Sequence, residues 1–178
     1  MDILINHSLS ADKIRYMGIP VFEPYKDTEH KRFRTKLGGF QIESFPVPHN
    51  GNENRGFLIK ADGQLICFLI DLEYNPWDFS KLPIDTLIVE CNYIEDLVDD
   101  SLPNIAHKCL GHCNLETTIG IIKNCQRNLR NVFLIHASKD VTMDRDRAIK
   151  RIREEIPAYI NVEFLKDNTV RDISLCPF

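Results

Sequence analysis

The sequence lacks any long apolar run. Its longest uninterrupted one, residues 65–70, is six residues, where a bilayer-spanning helix needs about 20. The opening Met-Asp-Ile-Leu-Ile-Asn-His lacks the basic start and cleavage site of a signal peptide, so the expected location is the cytoplasm. No Cys-x-x-Cys pair occurs among the six cysteines, which removes support for a zinc ribbon or a thioredoxin-like redox site. Charge of one sign is also scarce. With 22 Lys+Arg against 26 Asp+Glu the net charge is −4, which excludes a generic polyanion-coating protein but leaves room for a local basic patch. Repeats, low-complexity tracts and Gly/Ser linkers are missing, so the 178 residues read as one domain.

What is present is a mixed α/β pattern. Residues 8–17 read as a helix with Ser8 or Ser10 as cap and Gly18 at its end, followed by a short strand over 19–22. Residues 26–36 are polar and basic and read as loop or surface. Residues 40–47 alternate apolar and polar with a slip at Ser44–Phe45, as in a half-buried strand with a bulge. After the turn-rich 50–54 come strands over 56–60 and 65–70, joined by Asp62-Gly63, a hairpin signal. Residues 84–89 and 132–135 read as buried strands. Helical spacing over 114–128 and over 142–156, with Thr142 as cap and Pro157 beyond the end, predicts two helices before a last strand at 161–165. Cys67 and Cys91, in or beside apolar runs, read as small buried thiols. The segment 107–113, with His107, Cys109, His112 and Cys113, has no second ligand pair at zinc-knuckle distance and by itself reads as a loop and helix start.

Four predicted strands end, within two residues, in a polar side chain able to do chemistry: His49, Asp71, Glu90 and His136. In sheet-based α/β folds ligands gather beyond the carboxyl ends of strands. Two histidines and a carboxylate meeting there suit a transition metal, since imidazole is a neutral donor and a carboxylate supplies charge. Singly, each is as well explained as the place where a strand leaves the core, and Glu90 as a carboxylate at a helix N-terminus. The set of four points to a metal centre.

The set resembles the metallo-β-lactamase superfamily of metal hydrolases, and within it the branch of ribonuclease Z and related phosphodiesterases, over residues 4 to 165. Phe45-Pro-Val-Pro-His49-Asn followed by Gly56-Phe-Leu-Ile resembles the third metal motif, Phe68-Leu-Ile-Asp71 the fourth, and Phe133-Leu-Ile-His136-Ala-Ser138 the fifth. Val89-Glu90-Cys91-Asn92-Tyr93 and Gly111-His112-Cys-Asn-Leu-Glu116 resemble two further elements of that branch. The resemblance implies His49 on a first metal, Asp71 bridging, His136 on a second, and His112, oriented by Glu90, as proton donor to the leaving oxygen.

The family's His-x-His-x-Asp-His motif is absent. The alignment before Gly18-Ile-Pro-Val-Phe22 puts His7 at the final His, Asn6 at the Asp, and Asp2 and Leu4 at the first two histidines. Asn50 also replaces an acidic residue common in this branch, removing a support for His49. The expected fold is therefore a partial αβ/βα sandwich, its second half largely complete and its first sheet truncated, in a domain of residues 1–178 that is N-terminally incomplete. The ligand set becomes His7, Asp71 and His136, with His49 and Asp71 alone at the other position. Three ligands with open positions can hold a catalytic ion and two rarely do, so the expectation is at most one divalent ion, zinc ahead of manganese. The implied function is hydrolysis of a nucleotide or nucleic-acid phosphodiester through a metal-bound hydroxide. The alternative is a catalytically degenerate binding or regulatory subunit. Lys31, Arg32, Arg34 and Lys36, or residues 145–153, could steer phosphate. An apolar sheet face left uncovered by the truncation would call for a homodimer or another covering chain.

Overall fold

The computed structural model describes residues 3–4, 21–22, 33–37, 39–99, 101, 105–140, 142–166, 170–171 and 173. Two short strands, β1 (Ile3–Leu4) and β2 (Val21–Phe22), pair in parallel. A seven-stranded sheet follows the chain in spatial order. It begins as an antiparallel meander of β3 (Phe33–Leu37), β4 (Phe40–His49), β5 (Asn52–Ala61) and β6 (Gln64–Leu69). It continues in parallel through β7 (Thr86–Glu90), β8 (Asn131–Ile135) and β9 (Asn161–Phe164).

Two of the meander's turns follow from their residues. Asn50-Gly51 and Asp62-Gly63 both have positive φ at each position (45° and 74°, 49° and 80°), the geometry of the tight two-residue hairpin whose twist matches the flanking strands. The first turn sets the register His49↔Asn52 and the second Ala61↔Gln64. β5 therefore starts at Asn52, four residues before the predicted strand, because only Asn50 and Gly51 are needed to reverse the chain. The bulge expected at Ser44–Phe45 is absent: Ser44 faces Phe57 and Phe45 faces Gly56 in unbroken register. The apparent slip arises because both faces are covered there, with Ser44 0% and Phe45 2% exposed. Residues 33–37, expected to be loop or surface, form a strand on β4. Phe33, Thr35 and Leu37 alternate with Arg34 and Lys36, a charged pattern that suits the sheet's edge.

Past β7 come a 3-10 turn (Glu95–Leu97), α1 (Ile105–Gly111) and α2 (Leu115–Asn124), and past β8 comes α3 (Arg145–Glu155). Asn114 caps α2 by accepting from the Thr117 N–H at 2.8 Å. The cap of α3 is Asp144, accepting from Arg147 N–H at 3.0 Å, not Thr142. Thr142 is instead buried and donates its hydroxyl to Asp140. Leu115, Ile119, Ile121 and Ile122 of α2 and Ala148 and Ile152 of α3 pack with Phe45, Val47, Cys67, Leu69, Leu87, Val89, Val132 and Leu134 into one core. A large aliphatic buried there contributes about 1.5–3 kcal/mol. Cys67 and Cys91 are buried in this core as expected; burial pushes the Cys91 thiol up to about 12, helped by Glu90.

The opposite face carries Ile42, Phe57 and Phe133, all buried, beside half-buried Ile59, Ile66, Phe68 and Ile88. The predicted helix over 8–17 lies outside the described residues. Among the described residues no helix is long and apolar enough to cross a membrane.

Candidate metal and catalytic centre

The carboxyl ends of β6, β7 and β8, the His49 end of β4 and the start of α2 meet at one edge of the sheet. Strands β6 and β8 each deliver their residue by a sharp change of direction, while Glu90 closes β7 itself. Asp71, just past β6, has φ 53°, and His136, just past β8, has φ 54°. A left-handed backbone at a residue other than glycine is uncommon, more tolerable for Asp and His than for most, and clusters at functional sites. The left turn aims each side chain over the strand ends rather than along the sheet.

Two buried asparagines hold these turns. Asn54 on β5 donates its amide to the carbonyls of Ile70 (2.8 Å) and Asp71. Asn92 donates to the carbonyl of His136 at 2.8 Å, and its own carbonyl accepts from Ser138 N–H at 2.8 Å. The sequence reading assigned neither residue a role. Asn54 was hidden in a stretch rich in turn formers, and only its backbone neighbours across the sheet reveal its use.

Glu90 is the hub. Its side chain is 0% exposed, yet both carboxylate oxygens are occupied. One oxygen accepts from Asp71 N–H at 2.6 Å and lies 3.3 Å from His136 Nδ1. The other accepts from Cys113 N–H at 3.3 Å and lies 2.8 Å from His112 Nδ1. One carboxylate thus joins three chain segments. Burial raises its pKa, but hydrogen bonds from His112 and His136, with their charges, outweigh burial and hold the carboxyl below its ordinary range. The hydrogen bond with Glu90 raises the pKa of His136; burial opposes this, and the charges of Glu90 and Asp71 add to the rise.

His112 stands between the other two imidazoles, with ring centroids 5.3 Å from His49 and 5.0 Å from His136. It is positioned by the corner between α1 and α2, where Asn92 N–H donates to Cys113 (3.0 Å) and Leu115 N–H to Tyr93 (2.9 Å). His49 Nδ1 lies 2.7 Å from the carbonyl of Gly111. Donating there puts the lone pair on Nε2, the arrangement usual for a metal-binding histidine. Asp71 Oδ1 lies 3.1 Å from His136 Nδ1.

Ligand atoms of Asp71, Glu90, His112 and His136 all lie within 4.8 Å of one another. Two imidazoles and two carboxylates in that space form a donor set that fits a divalent transition metal. The structure therefore brings together five of the six residues singled out from the sequence: His49, Asp71, Glu90, His112 and His136. His7 lies outside the described residues. Of the expected phosphate-steering charges, Arg147 and Arg151 pair instead with Asp96 (2.5 Å) and with Glu116 and Glu155 (3.0 and 2.7 Å).

No family model matches the sequence, and no curated protein matches it closely enough to count as a relative. Solved structures do. The metallo-β-lactamase fold protein YhfI from Bacillus subtilis superposes with a TM-score of 0.66 at 16% identity, covering 93% of this chain and 74% of its own. A protein of Thermotoga maritima, proposed to be a Zn-dependent hydrolase of the metallo-β-lactamase superfamily, gives 0.59 at 14% identity, with 90% and 79% covered. A diphosphatase of the PhnP family gives 0.57 at 15% identity, with 92% and 55% covered. The chain has the metallo-β-lactamase fold. It spans about three quarters of the length of the first of these structures and about half that of the diphosphatase, and its cluster of carboxylates and imidazoles sits where parallel strands end.

Proposed function

We propose that this chain carries the hydrolytic centre of a metal-dependent phosphodiesterase acting on a nucleotide or nucleic-acid phosphodiester. The supporting observation is the pairing of two imidazoles with two buried carboxylates. His136 faces Asp71, and His112 is fastened to Glu90 at 2.8 Å. Asp71 and His136, with His7 from outside the described residues, would hold the ion, zinc being favoured by the two imidazoles, and His49 with Asp71 would line the other position. When bound, such an ion supplies Lewis acidity at the phosphoryl oxygens and makes water acidic enough to act near neutral pH.

The protein's own residues supply the rest. Glu90 already accepts two backbone N–H groups, so it serves as an anchor for His112 rather than as an ion ligand. With Nδ1 held by Glu90, His112 keeps Nε2 for the leaving oxygen and delivers its proton there as the phosphorus–oxygen bond breaks. That role asks for a group able to carry a proton near the working pH, and imidazole is such a group. The diphosphatase with this fold supports phosphorus as the attacked centre.

Zinc-loaded protein should hydrolyse a dinucleoside phosphate, whose alkoxide leaving group needs a proton. His112→Ala should lower kcat by about 10²–10⁴-fold while zinc content and Tm stay near wild type. Rates no higher than metal-only background in both wild type and variant would instead support the non-catalytic binding subunit, and equal rates above background would overturn the role of His112.

A further inference from the structure

Beside His136, past the ends of β6, β8 and β9, lies a cleft of about 530 Å³. Its wall includes Ile70, His136, Lys139, Phe164 and Lys166, with Arg145 from the first turn of α3. Three cations and an imidazole line it, and among the described residues no carboxylate does. The contrast with the rest of α3 is informative. Arg147 and Arg151 on the same helix are engaged with Asp96, Glu116 and Glu155. Lys139, Arg145 and Lys166 form no ion pair among the described residues. Arg145 rests instead on an aromatic face, its guanidinium carbon 5.5 Å from the centroid of the Phe164 ring, a contact that positions the cation without neutralising it.

Three cations with no ion-pair partner among the described residues repel one another in one concavity, and apolar walls concentrate their field toward the opening. An anion relieves that repulsion, and a guanidinium sharing a cleft with two ammonium groups suits the several oxygens of a phosphate. The cleft also shares a wall, His136, with the proposed metal centre. We infer that it is a subsite for a second phosphate of the substrate, so that the site acts on phosphodiesters bearing another phosphate nearby. Short oligonucleotides and nucleotide diphosphate conjugates belong to that class. This rests on the phosphodiesterase reading for its role in catalysis, though not for anion binding itself. The chain's net charge of −4 agrees with a local pocket for one small polyanion rather than an extended track for duplex nucleic acid.

The test uses inorganic pyrophosphate as probe and inorganic phosphate as comparison, titrated calorimetrically into the full chain after chelation of metal. Pyrophosphate should bind more tightly than phosphate. Arg145→Ala and Lys166→Ala should each weaken its binding by about tenfold, and the salt dependence should fall with each cation removed. Lys150→Ala, an exposed cation on α3 outside the cleft, should leave binding unchanged. All three are exposed positions, so far-UV circular dichroism should match wild type. Pyrophosphate that fails to bind at millimolar concentration, or binds equally well to the cleft variants, overturns the subsite. Zinc uptake, measured separately, separates the two readings. Loss of zinc binding with pyrophosphate binding intact would remove the hydrolase reading and leave the anion site standing.

Discussion

Glu90→Gln should destabilise the metal-free protein by about 3 kcal/mol at neutral pH, an unusually large effect for exchanging one oxygen for an NH2 group. Each oxygen of Glu90 accepts a backbone N–H, from Asp71 on one side and Cys113 on the other. Whichever way the amide is turned, its NH2 group opposes one of those donors, and neither water nor a nearby acceptor can relieve a fully buried contact. The charge that both histidines face is also lost. The pH dependence follows from the two shifts. Glu90 is held below its ordinary value, so its contribution is present above the unfolded-state pKa and disappears as pH falls through the lowered folded-state value. His136 is raised, so its contribution is present below its unfolded-state pKa and disappears as pH rises through the raised value. The gap between wild type and Glu90→Gln, read by urea denaturation, should be widest between those limits and should close in acid. A constant gap across the whole range would show that the carboxylate's charge contributes nothing.

Gly56→Ala is the second large effect. A Cβ on Gly56 would stand 2.7 Å from Leu69 Cδ2 and 2.7 Å from Phe45 Cε2, well inside van der Waals contact. Both neighbours are core side chains, Leu69 at 0% and Phe45 at 2% exposure, and Phe45 is further fixed by edge-to-face contacts with Trp77 and Phe79 at 5.9 and 5.4 Å. Neither can retreat without off-rotamer strain, so the cost should reach about 3 kcal/mol, the upper part of the overpacking range. For a chain of this size that is roughly 6–12 °C in Tm. Phe45→Leu in the same chain should recover part of the loss, a coupling of about 1 kcal/mol or more between touching residues. Additive losses would show that the ring does not fill the space above Gly56. Because Gly56 lies two residues from Asn54, the substitution should also loosen the clamp on the Asp71 turn.

Much of this was legible in the chain. Strand ends at His49, Asp71, Glu90 and His136 were marked by the abrupt change from apolar runs to a polar side chain, and the Asp62-Gly63 hairpin by its turn chemistry. Periodicity misled where a strand is buried on both faces: Ser44 beside Phe45 looked like a bulge because a small hydroxyl residue does not announce that it is covered. It was also blind at 33–37, where Arg34 and Lys36 on an edge strand have the composition of a loop. The clamps formed by Asn54 and Asn92 depend on contacts across 16 and 44 positions of chain, which no local pattern encodes. The link from Glu90 to His112 and His136 is equally long-range. The resemblance implied the first contact, and the second became visible only in the folded chain. Arg145 could not be told from Arg147 or Arg151 by sequence, since their difference lies in which carboxylates the fold brings near.

The central claim is that Asp71 and His136 form the core of a metal centre. The most direct measurement is zinc content after equilibrium dialysis, by elemental mass spectrometry, for wild type, Asp71→Ala and His136→Ala. The account predicts about one ion per wild-type chain, as a set of three ligands with open positions allows, and almost none in either variant. Wild type without zinc, or variants that retain it in full, would contradict it.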